Sequence, residues 1–361
     1  MQPDYPVHFD SKYTKARHNF MTACSDRATF VRSWQHPLRG IAGEKLYLDL
    51  AWFGDVAAPK VLLTISGTHG VEGYCGSGIQ VGSLKTQWHQ QADREVAIAM
   101  IHSLNPYGMS DLRRVNEDGV DVNRNFLDFQ QPLPQNTFYD DFADIIIPLQ
   151  WTPETQVETL DRIAEHIHNN PSAMAALAQG QYHYWYAPFY GGEVPTWSNR
   201  VFNQIIGQYL SDKKAVGLLD YHTGLGQYAT GQLMGLETSF SENQLASEIW
   251  GDKLVTTGSA NSVAAYTPQG TLIAALQQQL AHSTCIAAAY EFGTLRETEI
   301  WHALRADHWL HAHGDVNSLQ AETIKQNMLD AFYCDRLEWQ KSVCNLAFVA
   351  QEELLTGLRS L

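Results

Sequence analysis

The sequence predicts an α/β protein with a single mixed, mostly parallel central sheet that is flanked by helices. Short apolar runs of the kind found in buried strands occur at 60–66, 95–104, 216–222 and 285–292. Segments with helical periodicity lie between these runs. Buried strands that alternate with amphipathic helices are typical of the α/β class.

The first elements are predicted from periodicity. We expect a helix over 12–36, and the alternating segment 45–54 predicts a half-buried strand. The strand at 60–66 could pair with it as a hairpin, because a turn-like segment separates the two. The later segments with helical periodicity are 154–178, 199–210, 242–254 and 272–281.

A single domain is predicted for residues 1–361, with its core at about 45–300. The segment at about 127–190 is rich in proline, glutamine and aromatic residues, which indicates an insertion. From about Asp315 the pattern is helical throughout, which predicts a C-terminal helical extension over about 315–361. This extension could pack on the main body or offer a face to a partner, and the oligomeric state stays open.

The composition allows a large core and disfavours two classes of partner. Of the 361 residues, 44% are hydrophobic and 17% are charged. The 39 acidic and 24 basic residues give a formal net charge of −15. A field of this sign disfavours nonspecific binding to nucleic acid and to anionic membrane surfaces. A small anionic substrate stays compatible with it, because a local basic pocket can form within an acidic protein.

The cysteines and the hydropathy pattern predict a cytoplasmic protein. The five cysteines include no Cys-x-x-Cys pair, which is typical of reduced thiols and argues against a cysteine metal site. No stretch approaches the about 20 consecutive apolar residues of a membrane-spanning helix. The first residues contain no apolar signal core.

Metal-ligand side chains follow two of the predicted strands. His69 and Glu72 come after the strand at 60–66, and His222 ends the strand at 216–222. In open α/β sheets, sites form beyond the carboxyl ends of the strands. Two imidazoles and one carboxylate can hold zinc and leave a fourth position for water. A His-x-x-Glu pair by itself more often lies on a surface or caps a helix. The prediction of a metal site therefore depends on the position of the pair at the end of a strand.

Two further features carry candidate chemistry. Glu291 ends a strand of apolar residues, and burial there would raise its pKa toward the range of a general base. It could instead be a strand-end carboxylate that pairs with a cation such as Arg296. The polar segment 105–126 holds three arginines, which can bind carboxylates or stabilise an oxyanion. The same composition is typical of a solvated turn with local salt bridges.

The order of these features resembles that in the zinc carboxypeptidases of the carboxypeptidase A type, over about residues 45–300. The shared features are His69-x-x-Glu72, Asn-Pro-x-Gly at 105–108, Arg114, Gly-Val-Asp-x-Asn-Arg-Asn-Phe at 119–126, His222 and Glu291. The related deacylases of the aspartoacylase and succinylglutamate desuccinylase type contain a segment similar to Asp-Tyr-His-Thr-Gly at 220–224. The resemblance implies the fold of these enzymes and a single zinc ion held by His69, Glu72 and His222.

The resemblance also implies roles for other residues. Glu291 would be the base and later the proton donor, and Asp121 would orient the first zinc histidine. Arg114 would polarise the scissile carbonyl, although the adjacent Arg113 leaves this choice open. The residues that would contact the rest of the substrate are Asn123 and Arg124, which would hold a terminal carboxylate, and Tyr266, which would close over the substrate. Tyr266 could equally be a core aromatic or a loop anchor.

The expected function is a zinc-dependent hydrolase that cleaves an amide bond next to a free carboxylate, with a small peptide as substrate. One alternative is an N-acyl amino acid deacylase that uses the same metal and base but has different residues lining its substrate pocket. A second is a non-catalytic binding protein on the same fold. A nucleophilic hydrolase is not expected, because the sequence has no Gly-x-Ser-x-Gly elbow.

Overall fold

The computed structural model describes residues 8–169, 173–236, 240–257 and 267–361. Within these ranges the strands form one eight-stranded sheet with the order β1-β2-β4-β3-β5-β8-β6-β7. The strands are β1 (Phe30–Arg39), β2 (Lys45–Phe53), β3 (Lys60–Ser66), β4 (Val96–His102), β5 (Ala215–Tyr228), β6 (Gly231–Gly235), β7 (Leu254–Thr256) and β8 (Thr284–Gly293).

The four central strands β4, β3, β5 and β8 run parallel, while β2 and β6 pair antiparallel with their outer members. The predicted mixed, mostly parallel sheet is therefore confirmed. The predicted hairpin between the second and third strands is wrong, because β2 pairs with β1 and β4. Strand β3 is apolar on both faces and is buried from Val61 to Ser66, so it occupies the centre of the sheet between β4 and β5.

Helices cover both faces of this sheet. Alternate residues of β3 show the two layers, since Leu62 packs into one core cluster and Val61 and Leu63 into the other. The helices are α1 (Tyr13–Cys24), α2 (Gly73–Lys85), α3 (Pro106–Ser110), α4 (Phe138–Ile146), α5 (Pro153–Asn169), α6 (Ala173–Gln179), α7 (Trp197–Ile205), α8 (Phe240–Trp250), α9 (Leu272–Gln279), α10 (Glu297–His313), α11 (Leu319–Phe332) and α12 (Leu337–Ser360).

The predicted opening helix over 12–36 is wrong in its second half. Helix α1 ends at Cys24, and strand β1 follows at the edge of the sheet. Pro37 cannot donate a helical hydrogen bond, and the aromatic Phe30 stacks on Trp52 of β2 with ring centroids 5.9 Å apart. Cross-strand packing of this kind favours the strand over the helix.

The C-terminal segment contributes to the main core. The helical pattern from Asp315 divides into α11 and α12, with a break at 333–336. Helix α12 packs against β5 so closely that a Cβ atom on Gly217 would lie 2.9 Å from the side chain of Leu354. In a separate cluster, α4, α5 and α6 from the 127–190 segment pack with α10 and α11. All five cysteines are buried. Among the described helices, none has the length and apolar character needed to cross a membrane.

A buried ion cluster joins α10 and α11 to the arginine-rich loop. The Nε atom of Arg113 donates to Asp307 at 2.9 Å, and Lys325 Nζ donates to the other oxygen of the same carboxylate at 2.9 Å. Burial by itself would raise the pKa of Asp307, but the two cations hold it well below its ordinary value of 3.8. Asp307 is therefore ionised and paired in the folded chain.

Replacing Asp307 by Asn is expected to lower the free energy of unfolding by about 3–5 kcal/mol at neutral pH, because it leaves buried Arg113 without its partner. Since the folded pKa is depressed, the ionised carboxylate stabilises the fold fully above pH 3.8, and this stabilisation is lost as the pH falls below that value. Denaturant unfolding across pH measures the difference between wild type and Asp307→Asn. Asp161→Asn, at an exposed position of α5, is the control. A difference that persists unchanged at low pH would contradict the assignment.

Candidate active site

The predicted reactive residues lie beyond the carboxyl ends of the central parallel strands, next to the end of β3. His69 and Glu72 occupy the segment between β3 and α2. His222 lies on β5 just past the last residue that pairs with β3, and it is in register with Glu291 on the neighbouring strand β8. Three adjacent parallel strands thus bring together residues that are far apart in the sequence.

Two backbone segments, around Gly70 and around Gly108, pack closely at this site. A Cβ atom on Gly70 would lie 2.1 Å from the carbonyl carbon of Gly108 in α3, so neither position leaves room for a side chain between them. The segments are joined by hydrogen bonds from the Gly70 and Val71 amides to the carbonyls of residues 114 and 113, at 3.1 and 2.8 Å. This contact places the Arg114 side chain beside Glu72.

Three candidate metal ligands converge at the centre of the site. The Nδ1 atoms of His69 and His222 lie 3.1 Å apart. Each Nδ1 also lies near one oxygen of Glu72, at 3.0 Å for His69 and 3.1 Å for His222. All three side chains are buried, and their potential ligand atoms lie within 4.8 Å of one another. Among the described residues, this is the one group of His, Cys, Asp and Glu side chains whose geometry could hold a metal ion.

Each histidine is oriented by a carboxylate on its outer nitrogen. His69 Nε2 lies 3.1 Å from Asp121, and His222 Nε2 lies 2.8 Å from Asp220. The Thr68 hydroxyl donates to the other oxygen of Asp220 at 2.8 Å. A carboxylate on the outer nitrogen holds the proton there and leaves Nδ1 as the electron-pair donor toward the centre.

The sequence reasoning identified Asp121 but missed Asp220. The signal for Asp220 was its position two residues before His222, because residues i and i+2 of a strand point to the same face. The sequence also gave no indication of the Thr223 amide, which donates to Glu72 at 3.1 Å.

Arg114 links the carboxylates on the loop side of the site. Its Nη1 donates to Glu72 at 3.0 Å and its Nε donates to Asp121 at 3.1 Å. Burial alone would raise the pKa of Asp121, but Arg114 and His69 hold it well below its ordinary range. Likewise the pKa of Glu72 is lowered by the adjacent histidines and Arg114 against the effect of burial. Both carboxylates are therefore ionised.

Glu291 lies beside this cluster in a different electrostatic setting. Its side chain is 8% exposed, and its Oε2 has no hydrogen-bond partner within the described residues. Burial raises the pKa of Glu291 to about 8, with His222 opposing the rise and the charge of Glu72 adding to it. The alternative pairing with Arg296 is wrong, because that exposed arginine pairs with Glu299 at 3.0 Å.

Asn123 and Arg124 line the same pocket, yet both make structural hydrogen bonds. The Oδ1 atom of Asn123 accepts from the Leu272 amide at 2.9 Å, which fixes the start of α9. The Arg124 guanidinium donates to the carbonyls of Asn123 and Ala178, at 2.9 and 2.8 Å. Its Nε is buried without a partner in the described part of the chain.

The pocket over the cluster contains most of the predicted site residues. It is lined by His69, Arg114, Asn123, Arg124, His222 and Glu291, with Ile273, Ala289 and Met234 among its apolar neighbours. Arg113 does not line it and pairs with Asp307 instead, so of the two adjacent arginines only Arg114 faces the cluster. Tyr266 lies outside the described residues.

The chain is similar to several solved structures. The carboxypeptidase A of Helicoverpa armigera is 12% identical, with 96% of this chain and 74% of that chain covered and a TM-score of 0.45. An aspartoacylase family protein of Mesorhizobium loti is 14% identical, with 82% and 70% covered and a TM-score of 0.38. The murein-tripeptide amidase of Escherichia coli O157 is 15% identical, with 82% and 94% covered and a TM-score of 0.37.

Sequence comparison gives a family without an assigned activity. No curated protein matches the chain. The family described as "Protein of unknown function (DUF2817)" matches residues 9–345. This match spans nearly the whole sequence, and the chain therefore belongs to the DUF2817 family.

Proposed function

We propose that this protein is a zinc-dependent hydrolase that cleaves an amide bond next to a free carboxylate. The observation that carries the proposal is the convergence of His69, Glu72 and His222 beside the buried carboxylate of Glu291, whose Oε2 has no hydrogen-bond partner among the described residues. This arrangement combines a metal-ligand set with a candidate base at the carboxyl ends of the strands, where α/β enzymes place their sites.

The residues present fit a single zinc ion. Two imidazole nitrogens and a carboxylate oxygen point at one another, and the outer imidazole nitrogens are already held by Asp121 and Asp220. Two nitrogen donors and one carboxylate are a ligand set that zinc enzymes use. When bound there, zinc would act as a Lewis acid and lower the pKa of a water molecule to about 7.

Glu291 would move the protons of the reaction. Hydrolysis adds water across the amide, so that the carbonyl carbon gains a hydroxyl group and the leaving nitrogen gains a proton. Glu291 would accept the proton from the attacking water and pass it to the leaving nitrogen. Its pKa of about 8 would fall when a cation binds nearby, which favours the ionised form needed to accept a proton.

Arg114 and Arg124 would supply the positive charges that the substrate needs. Arg114 borders the pocket beside Glu72, where it could donate to the carbonyl oxygen as negative charge develops. Arg124, with Asn123, would hold the free carboxylate of the substrate. The buried Nε of Arg124, which has no partner in the described ranges, supports this role. An N-acyl amino acid carries the same carboxylate, so the deacylase reading uses the same residues.

A substrate panel tests this proposal. The zinc-loaded protein is incubated with short peptides, with N-acyl amino acids and with matched compounds whose terminal carboxylate is an amide. We expect hydrolysis only of compounds with the free carboxylate. Cleavage of peptides alone assigns a carboxypeptidase, and cleavage of N-acyl amino acids alone assigns a deacylase. Equal cleavage of the amidated compounds, or no cleavage of any compound, would contradict the proposal.

The two adjacent arginines should respond differently to substitution. Arg114→Lys is expected to lower kcat/KM by about 10²–10³-fold, because lysine lacks the fork that reaches both the carboxylates and the substrate oxygen. Arg113→Lys should lower the Tm and leave the kcat/KM of the folded enzyme nearly unchanged, because Arg113 contacts Asp307 rather than the pocket. Kinetics and thermal unfolding of both variants check this. A larger kinetic loss in Arg113→Lys would reverse the assignment.

A further inference from the structure

A second pocket opens beside the metal cluster, where strand β5 bulges. The pairing of β5 with β8 passes from Thr223 opposite Phe292 directly to Tyr228 opposite Gly293, so residues 224–227 bulge out of the ladder. These residues, the beginning of β6 and the first residue of α10 line the pocket, which we name the bulge pocket. It does not include the metal ligands.

The wall of the bulge pocket is held by backbone contacts. A Cβ atom on Gly293 would lie 1.8 Å from the carbonyl oxygen of Gln227, so glycine is required where the bulge crosses β8. The amide and the hydroxyl of Thr230 both donate to this same oxygen, at 3.1 and 2.8 Å. Gly224 has a φ of +109°, which side-chain-bearing residues rarely adopt. These contacts therefore fix the backbone conformation of the bulge.

The bulge pocket adjoins the pocket over the metal cluster. Leu225 lines both pockets. Gln232, which lines the bulge pocket, is in register with Glu291 on the antiparallel neighbour β8, and residues paired in this way point to the same face of the sheet. A substrate whose amide lies at Glu291 could thus extend into the bulge pocket.

The two pockets differ in the charged side chains that line them. The pocket over the metal cluster is lined by Arg114, Arg124 and Glu291, and Arg124 would receive the carboxylate end of the substrate. Among the described residues that line the bulge pocket, Glu297 is the one charged side chain. Glu297 is exposed and has no hydrogen bond or ion pair within the described part of the chain, whereas the nearby Glu299 pairs with Arg296.

We propose that the bulge pocket binds the acyl side of the substrate and that Glu297 pairs there with a cationic ammonium group. This inference rests on the proposed function and deepens it. With a carboxylate held on one side of the scissile bond and an ammonium group on the other, the substrate class is a short peptide with both termini free. N-acyl amino acids lack the ammonium group, so the inference favours the peptidase over the deacylase.

The test compares kcat/KM for a short peptide with a free amino terminus and for the same peptide after N-acetylation. We expect the wild-type enzyme to prefer the free amine by about two- to fivefold, the range of an exposed charge pair. Glu297→Gln should reduce this preference to about one through a higher KM with kcat unchanged, and Glu297→Lys should reverse it. Glu322→Gln, which removes an exposed first-turn glutamate of α11, is the matched control and should keep the wild-type preference.

The outcomes separate this inference from the function on which it rests. If wild type cleaves both peptides and Glu297→Gln leaves the preference unchanged, the role of Glu297 is overturned and the hydrolase stands. A wild-type preference for the acetylated peptide, or an equal loss of preference in Glu322→Gln, overturns it as well. If the zinc-loaded enzyme cleaves neither peptide, the proposed peptidase activity fails together with the inference.

Discussion

Replacing Glu291 by Gln is expected to abolish amide hydrolysis while the fold and the bound zinc are retained. Glutamine has the shape of glutamate but cannot accept a proton from water. Loss of a general base costs about 10²–10⁴-fold in rate. Glu291 does not belong to the converging ligand set, so zinc binding should survive the change. Zinc content, the far-ultraviolet circular dichroism spectrum and kcat of the same preparation measure the three expectations.

The control for this variant is Glu322→Gln, which removes an exposed carboxylate of α11 that does not line the pocket and should keep full activity. Retained activity in Glu291→Gln would remove Glu291 from the base role. Loss of zinc together with activity would instead make Glu291 part of the metal site.

Replacing His222 by Ala is expected to lower zinc affinity by more than about 100-fold and to abolish activity. Residues that only orient a metal ligand are worth about 10–100-fold in affinity, so loss of a ligand should cost more. The change also leaves buried Asp220 with one partner fewer, since it removes the His222 contact and keeps the hydrogen bond from Thr68. Competition with a zinc chelator measures the affinity.

His36→Ala is the matched control for this variant. His36 is as buried as His222 but pairs with Glu117 at 3.1 Å, outside the metal cluster. The control is expected to lower stability, because it removes a buried contact, and to keep the wild-type zinc affinity. Equal zinc affinity in His222→Ala and wild type would place the ion elsewhere.

The sequence predicted the centre of the sheet better than its edges, for a physical reason. Strands β3, β4, β5 and β8 are buried on both faces, so they appear as unbroken apolar runs. Strands β1, β6 and β7 are short or partly exposed and lack this signature. Their pairing depends on contacts with neighbours that are remote in the sequence, such as Phe30 with Trp52.

In the candidate site, too, the sequence predicted some features and left others undetermined. His69, Glu72, His222 and Glu291 were predicted because strand ends collect reactive residues at one edge of an α/β sheet. The choice between the adjacent arginines could not come from the sequence, since their spacing to every motif differs by one residue only. It depends on the fold, which directs Arg113 to Asp307 of α10.

A crystal structure of the zinc-loaded protein, with anomalous scattering recorded at the zinc edge, would show where the ion binds. We expect one strong anomalous peak between His69 Nδ1, His222 Nδ1 and the Glu72 carboxylate, with one coordination position open beside Glu291. A structure of protein supplied with zinc that has no peak at this point, or one bound by other residues, would contradict it.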